Sequence, residues 1–376
     1  MDRRAHLARA HRLAPAHRAA TPEDVADSLV ALHSTDPASV HLAILARTAD
    51  AGAPVADVDR ALHDDRTLVR IMGMRRTIWA VPADLVPVVA GACGRAIADV
   101  ERRNLVRALE EQGIVDDGAR FVAELQRDTL AALADRGEAL TAELTKDVPA
   151  LKGTVRYGGD CKWATDIGLS TRIVLLLSME GRILRRRPTG DWTSTRHRYA
   201  VAPDADEPMT TADAQAELAR RWLRAFGPAS TDPVADLKWW AGWTVAATKR
   251  ALASAGPIDA EAADGDPGPW AALVPSLDPT TMGWKDRSWY LPEHVGATLF
   301  DRTGNAGPAI WWNGQVVGGW AHRASGEVAT RLLVDIGVDG VAAVDTEAER
   351  VRTWLAASGT IVKPRFAGPL HKELAT

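Results

Sequence analysis

The chain has 376 residues, 46% of them hydrophobic and 25% charged, and its formal net charge is −4 at pH 7. That length predicts two or three domains with ordinary cores, and the negative charge excludes a uniformly basic nucleic-acid-binding protein. Any DNA-binding surface must therefore come from charge segregated on one face. Cys93 and Cys161 lack metal-site spacing, and the sequence has neither a signal-peptide core nor an apolar run of membrane-spanning length. We expect a cytoplasmic protein with no membrane partner.

The first predicted unit, residues 1–118, is a series of helices followed by a short β-hairpin. A capping residue followed by proline marks two of the helix starts, at Thr21-Pro22 and Asp36-Pro37. Helices followed by a hairpin give the order of a winged helix. The predicted elements are helices at Pro22–Ala31, from Pro37 and from Val55, and strands at Leu68–Ile71 and Thr77–Val81.

Residues 119–209 are predicted to repeat this plan, with an apolar helix before the hairpin in the position of a recognition helix. The predicted elements are a helix at Phe121–Arg136, a second entered through Gly137–Glu143, the apolar helix Ile173–Met179 and a wing at Gly181–Tyr199.

The wing of this second unit is the strongest nucleic-acid signal in the sequence. Six arginines, one histidine and one tryptophan fall between positions 182 and 198, opposed by a single acid, Asp191. Guanidinium forks suit phosphate oxygens, and a wing can lie along a groove of DNA. The alternative is a solvated edge strand protected by its charge. The candidate DNA contacts are Arg182, Arg185, Arg186, Arg187, Trp192, Arg196 and Arg198.

Residues 210–376 are predicted as a third round of helices followed by strands, with a hairpin around Asp301–Gly307 whose Gly-Asn pair suits a turn. Four basic residues of this region are weaker candidates for DNA contact, because each alone is more typical of a surface charge: Lys249, Lys285, Arg287 and Arg302. The predicted helices are Ala212–Phe226, Pro233–Trp240, Thr244–Ala253 and Asp345–Ala357.

The chain contains 14 tryptophans against 4 phenylalanines and 3 tyrosines. Tryptophan can stack on nucleobases, but it is more often a core residue. Trp239, Trp240 and Trp243 have helical spacing, which favours packing of a helix over contact with bases.

The segment Leu32–Pro37 places a histidine, two hydroxyls and a carboxylate within four consecutive positions at a helix start. Asp36 followed by Pro37 is favourable chemistry for beginning a helix, which is one reading of the segment. A catalytic centre is the other reading.

Three stretches carry a resemblance to a known family: Leu32–Pro37 with Leu42–Arg47, Ser276–Pro279 with Gly283–Arg287, and Gly314–Trp320. Together they resemble the AlkZ/YcaQ-like DNA glycosylases, a helix-turn-helix family, over roughly residues 3–366. The resemblance implies an α+β, mainly α fold of three tandem winged-helix units that form a C-shaped DNA-binding protein. The implied units are residues 1–118, 119–209 and 210–376.

The resemblance also implies an activity. It is hydrolysis of the N-glycosidic bond of bulky or cross-linking N7-alkylguanine adducts, in self-resistance to a genotoxic natural product. The expected partner is double-stranded DNA containing alkylated guanine, and the enzyme is expected to be a monomer with no metal and no cofactor.

In the family, two glutamines, or a glutamine and an aspartate, precede the Asp-Pro pair, whereas this chain has His33 and Thr35 at those positions. His33 is then the candidate general base, because imidazole titrates near neutral pH. Thr35 is expected to hold the water. Asp36 is expected to orient His33 or to face the positive charge that develops on the sugar.

Two other function classes fit parts of the sequence. One is a non-catalytic winged-helix protein, either a transcriptional regulator or a lesion-binding protein, and the loss of the family's glutamines favours it. The other is a drug-sequestering protein with a tryptophan-rich interior. Sequence preference in DNA binding and binding of the free compound, respectively, would distinguish them.

Overall fold

A computed structural model of the chain describes residues 2–49, 55–157, 161, 164–203, 209–258 and 266–376. The described part mixes α-helices with antiparallel sheets. Its helices are α1 (Arg3–Arg9), α2 (Pro22–Ser28), α3 (Pro37–Leu45), α4 (Ala56–Asp59), α5 (Val86–Val89), α6 (Arg95–Glu111), α7 (Gly118–Arg136), α8 (Thr141–Asp147), α9 (Leu169–Met179), α10 (Thr211–Phe226), α11 (Pro233–Ala241), α12 (Val245–Ala255), α13 (Glu293–Leu299), α14 (Gly337–Ser358) and α15 (Pro369–Leu374).

The strands pair antiparallel in four sheets: a three-stranded sheet of order β1-β3-β2, a four-stranded sheet of order β11-β10-β9-β8, and the hairpins β4-β5 and β6-β7. Their bounds are β1 (Leu32–His33), β2 (Leu68–Met72), β3 (Ile78–Pro82), β4 (Thr154–Tyr157), β5 (Thr165–Gly168), β6 (Ile183–Pro188), β7 (His197–Val201), β8 (Ala271–Val274), β9 (Ala309–Trp312), β10 (Gln315–His322) and β11 (Val328–Leu332).

Helix starts follow the caps that the sequence predicts. The side chains of Thr21, Asp36 and Asp232 each accept a hydrogen bond from a backbone N–H in the first turn, and proline follows each of them. The cap satisfies a donor that has no partner inside the helix, and proline supplies the helical φ. The predicted starts of α2, α3 and α11 are therefore confirmed.

Other predicted elements differ from the structure. His33 lies on β1, not at a helix start, and the long helix α6 was not predicted. α6 is mostly polar and buries only Ala98, Leu105 and Leu109, so its apolar stripe is thin. The predicted hairpin at Asp301–Gly307 is a turn with a single bridge, between Phe300 and Ala306, because the carboxylate of Asp301 holds the loop in place of a strand ladder.

The chain folds around two large hydrophobic cores, and neither core is built from one continuous predicted unit. The first joins residues of α1–α5 to α10–α12, β8 and β9, so residues 7–93 share one interior with residues 214–316. The second lies between α6 and β7 and includes Leu105 and Leu109, so it begins before residue 119. A third cluster packs α14 on the four-stranded sheet and on α3.

Gly91 and Gly94 lie where neighbouring helices pack very closely against the segment between α5 and α6. A Cβ at Gly91 would lie 2.8 Å from the Cβ of Ala214 on α10, and one at Gly94 would lie 2.7 Å from the carbonyl oxygen of Met179 at the end of α9. Only glycine leaves room for such contacts. Among the described helices, none has the length and apolar content that crossing a bilayer requires.

Candidate active site and nucleic-acid interface

The Leu32–Pro37 segment forms an edge of the first sheet. His33 pairs with Trp79 across β1 and β3, and the backbone N–H of Ser34 donates to the carbonyl of Ile78 at 2.8 Å. The hydroxyl of Thr35 accepts from the N–H of Ile78 at 3.3 Å. The hairpin β2–β3 therefore fixes the backbone of the segment immediately before α3 begins.

His33 is buried, with 4% of its surface exposed, and its ring lies 4.8 Å from that of Trp79. Its Nδ1 accepts a hydrogen bond from the N–H of Thr35 at 3.4 Å. Burial, and then the positive charge of Arg75, lower the pKa of His33 to about 3. His33 is thus a neutral imidazole whose assigned tautomer carries its proton on Nε2.

Asp36 is 3% exposed, and both of its carboxylate oxygens accept backbone hydrogen bonds. Oδ1 accepts from Ala38 at 3.2 Å, and Oδ2 accepts from Arg365 at 2.9 Å. Burial raises the pKa of Asp36, and these hydrogen bonds oppose that shift. Among the described contacts no hydrogen bond joins Asp36 to His33. Thr35 is the half-exposed member of the three.

A small cavity of about 10 Å³ lies against Asp36, with room for about one water molecule. The three stretches that carry the family resemblance meet around it, through Asp36, Ser276 and Trp320. His322 and His371 complete its polar lining, and both ring nitrogens of His371 are buried without a partner in the described structure. The cavity is therefore a small and mostly apolar space next to the candidate catalytic carboxylate.

Two contacts hold these stretches together. Ser39 donates its hydroxyl hydrogen to the carbonyl of Ser276 at 2.9 Å. Arg47 donates to both carboxylate oxygens of Asp278, at 2.8 and 2.7 Å, and both side chains are fully buried. The bidentate pair ties α3, which Asp36 caps, to the segment that follows β8.

A cluster of buried histidines surrounds Arg70 beside this segment. Arg70 donates to the hydroxyl of Ser34 at 3.0 Å and contacts His63 at 3.4 Å. Burial, and then the charge of Arg70, lower the pKa values of His63 and His197 to about 3. His197 lies on β7, so the cluster joins the hairpin β6–β7 to the first sheet.

Lowering the pH from about 7 to about 5 is expected to destabilise the protein through His63 and His197. Their pKa values are about 3 when folded, against 6.5 ordinarily. The unfolded chain therefore binds more protons in this range, and stability falls as the pH drops below about 6.5. Each fully neutral histidine contributes about a tenfold change in the folding constant per pH unit. Urea unfolding across this range should show a shallower dependence for His197→Asn, and an equal dependence would contradict the assignment.

Three of the six arginines of the predicted wing form close ion pairs within the protein. The pairs are Arg186 with Glu138 at 2.7 Å, Arg187 with Asp59 at 2.8 Å and with Asp64 at 3.1 Å, and Arg198 with Glu143 at 3.1 Å. Their charges are largely compensated by carboxylates that the sequence places far from the wing.

The other predicted wing residues divide between the surface and the interior. Arg182 and Arg196 are exposed, and Arg182 lies 3.9 Å from Glu180. Arg185 is half-buried above the ring of Tyr199. Trp192 is a core residue, packed 4.8 Å from the ring of His41 and 5.5 Å from that of Trp354, so its ring is not presented to DNA in this structure.

A second basic surface lies along α11 and α12, in an open groove of about 720 Å³. Lys238, Lys249 and Lys285 line it together with Trp239 and Trp243. None of these lysines forms an ion pair with another described residue. Cations interleaved with half-exposed indole rings suit phosphates and bases together. Sequence reasoning selected two of the lysines but not Lys238 or the tryptophans, whose helical spacing is typical of a core.

Two further predicted contacts lie near this groove. Arg287 is half-buried against Trp239 and Phe300, and Arg302 is exposed in the turn that follows α13. Arg75, which was not predicted, places its guanidinium carbon 4.3 Å from the centre of the Trp239 ring. The tip of the β2–β3 hairpin thus reaches the groove from the His33 side. Within the described residues, no group of histidine, cysteine or carboxylate side chains is arranged to hold a metal ion.

Comparisons with known proteins agree with this architecture. The chain is similar in structure to Streptomyces sahachiroi DNA glycosylase AlkZ, with a TM-score of 0.67 and 18% sequence identity over 96% of this chain and 98% of that one. A search of curated protein sequences finds no match. Residues 25–354, most of the chain, match the family described as DNA glycosylase AlkZ-like. The chain therefore belongs to the AlkZ-like DNA glycosylase family.

Proposed function

We propose that this DNA glycosylase is monofunctional and hydrolyses the N-glycosidic bond of bulky or cross-linking N7-alkylguanine adducts, in self-resistance to a genotoxic natural product. It acts as a monomer, without a metal, through three tandem winged-helix units. The order of helices before the hairpins β2–β3 and β6–β7 supports the first two winged-helix units. The observation that carries the proposal is the buried carboxylate of Asp36, which lies against a small cavity in a chain that also has an open groove of lysines and indoles along α11 and α12.

An N7-alkylated guanine already carries positive charge, so its departure needs little help from a general acid. The remaining task is to hold water and to stabilise an oxocarbenium-like sugar. The raised pKa of Asp36 supports it as the group that takes the proton from water and faces the sugar. Thr35 is the half-exposed hydroxyl that holds the water.

His33 has a different role from that of a general base in this proposal. With a pKa of about 3, its conjugate acid gives up its proton too readily for the imidazole to accept one from water near neutral pH. Its Nδ1 already accepts from the N–H of Thr35, which leaves the Nε2 proton for donation. His33 thus replaces a family amide as a neutral hydrogen-bonding group.

The test is release of free adducted base from alkylated duplex DNA by the purified protein. We expect enzyme-dependent release that falls to background in Asp36→Asn and is reduced in His33→Ala. Equal, background release by the wild type and both variants would overturn the enzymatic proposal. The second candidate is a non-catalytic lesion-binding protein, favoured by the low pKa of His33. Tight binding to the adduct without release of base would support it.

The groove along α11 and α12 is expected to supply most of the salt-dependent affinity for DNA. The triple variant Lys238→Gln, Lys249→Gln, Lys285→Gln should reduce the slope of log K against log salt by up to about 3, since each phosphate contact contributes about 0.9. Arg186→Gln is the matched control, because its guanidinium is held by Glu138. A larger effect in the control would assign DNA binding to the wing instead.

A further inference from the structure

The tip of the β2–β3 hairpin holds Arg75 in an unusual backbone conformation. Arg75 has φ of 53° and Arg76 has φ of 59°, the left-handed region that residues with side chains rarely adopt. Surrounding hydrogen bonds impose it: the N–H of Gly73 donates to the carbonyl of Thr77 at 2.9 Å, and the indole of Trp79 donates to Met74 at 3.1 Å. Strain held in place in this way is typical of functional positions.

The strained tip delivers the Arg75 side chain to the third unit of the chain. Its guanidinium carbon lies 4.3 Å from the centre of the Trp239 ring on α11. The backbone of Arg75 also packs on Gly242, where an added Cβ would lie 3.4 Å from the Arg75 Cα and N atoms. The position of the guanidinium is therefore fixed from both sides, by its own hairpin and by α11.

A second guanidinium occupies the same aromatic surface. The guanidinium carbon of Arg287 lies 5.1 Å from the centre of the Trp239 ring and 4.6 Å from that of Phe300. Burial, and then the charge of Arg287, lower the pKa of Arg75 to about 10. The two cations thus lie close enough to repel each other.

Neither guanidinium forms an ion pair with a carboxylate anywhere in the part of the chain that the structure describes. The Nε atoms of Arg75 and Arg287 are both buried without an acceptor among the described residues. Other half-buried arginines of this protein, such as Arg186 and Arg350, do have carboxylate partners. Two confined, uncompensated guanidiniums are the electrostatic complement of an anion.

We propose that Arg75 and Arg287 form a phosphodiester-binding site that takes a backbone phosphate beside the damaged nucleotide in the DNA. The inference rests on the proposed function and names a DNA subsite for it. The site adjoins the candidate catalytic segment, because His33 pairs with Trp79 and the indole of Trp79 donates to the carbonyl of Met74, the residue before Arg75. Trp239, which both guanidiniums contact, also lines the lysine groove, so a strand bound in the groove passes the pair.

The site has a consequence for the reaction. Two bare guanidiniums would disfavour positive charge on a nearby sugar, and the single negative charge of a bound phosphodiester offsets part of that effect. Damaged DNA therefore completes the electrostatic environment of the site by bringing its own phosphate.

The experiment measures binding of Arg75→Gln and Arg287→Gln to a duplex with one tetrahydrofuran abasic site, with Arg127→Gln as the exposed control. Each site variant is expected to bind at least about tenfold more weakly and to reduce the salt slope by about one unit, with no change in the control. Arg287→Gln keeps the test valid if the strained hairpin of Arg75→Gln does not fold. Site variants that bind like the control would overturn the proposal.

Neutral methylphosphonates placed singly on either side of the abasic site locate the contact. One position should weaken the wild type about tenfold and leave Arg75→Gln and Arg287→Gln unaffected. Equal penalties in the wild type and the site variants at every position would refute the contact. A titration with inorganic phosphate separates the sources of the anion: binding of free phosphate lost in the variants, with DNA binding unchanged, would assign a free-anion site and overturn the proposal.

These measurements do not depend on excision. If no base is released but the salt slopes differ as expected, the phosphate site stands and the proposed function fails. If base is released and the site variants bind like the control, the function stands and the phosphate site fails.

Discussion

Replacing Arg47 by methionine is expected to lower the free energy of unfolding by about 3–5 kcal/mol, the range for breaking a buried ion pair from one side. Arg47 is fully buried and donates to Asp278 through two nitrogens. It also donates to the carbonyls of His11 and Ala43 and to the hydroxyl of Thr280. The substitution would leave the Asp278 carboxylate buried without its counter-charge, which is the largest part of the cost.

Guanidinium-induced unfolding of the two proteins measures this loss. The matched control is Arg352→Met, whose guanidinium pairs with Glu349 at the surface of α14 and should contribute less than about 1 kcal/mol. Adding Asp278→Leu to Arg47→Met is expected to recover part of the stability, because the unpaired charge is then removed. A loss below about 1 kcal/mol for Arg47→Met alone would refute this account.

The Arg47 pair also explains why these residues carry the family resemblance. It lies behind α3, with Asp36 at one end of the helix and Arg47 just beyond the other. The Ser276–Pro279 stretch therefore supports the helix that Asp36 caps, and Ser276 also lines the cavity beside Asp36. We expect loss of the Arg47–Asp278 pair to lower the stability of the protein, and to lower excision only as a consequence of that lower stability.

Replacing Asp36 by asparagine is expected to reduce excision by about 10²–10⁴, the usual contribution of a general base, with little change in affinity for DNA. Asparagine caps a helix about as well as aspartate, so α3 should still begin at Pro37. Its amide cannot accept a proton from water and carries no negative charge. Burial raises the pKa of Asp36, whereas it lowers the pKa of His33 to about 3. The Asp36 carboxylate is therefore the stronger base of the two.

The matched control is Asp117→Asn, because Asp117 caps α7 through the same kind of bond, to the N–H of Arg120 at 2.9 Å. Single-turnover base release and duplex binding are measured for both variants. Asp117→Asn should excise like the wild type. If Asp36→Asn excises within a few-fold of the wild type while remaining folded, Asp36 is a helix cap and not the base.

The sequence predicted well where the cause of a structure is local. Thr21-Pro22 and Asp36-Pro37 contain both the cap and the first helical residue, so a few adjacent positions decide where α2 and α3 begin. The hairpin around Gly73–Arg76 was also predictable, because β-rich residues flank a short turn. The thin apolar stripe of α6 gave no comparable signal, since that helix is stabilised mainly by the neighbouring helices on which it packs.

Electrostatic predictions were weaker because charge compensation is a long-range property. The wing's arginines stand together in the sequence with a single acid among them, yet Arg187 meets Asp59 and Asp64 from the first unit. Arg75 looks like one of many surface arginines, and only the fold brings it to Trp239 and leaves it without a carboxylate partner among the described residues. For this reason the lysine groove along α11 and α12, and not the arginine-rich wing, is the proposed main DNA-binding surface.

By itself the sequence determined the helix caps at Thr21 and Asp36, the hairpins β2–β3 and β6–β7, and the family, because each depends on residues close together in the chain or on motifs in a fixed order. Only the tertiary structure decided which charges are free and which groups surround Asp36. Arg47 and Asp278, for example, are 231 positions apart and meet in the interior. Burial and pairing set the charge state and the accessibility of a side chain, and both depend on partners that folding brings together from distant parts of the chain.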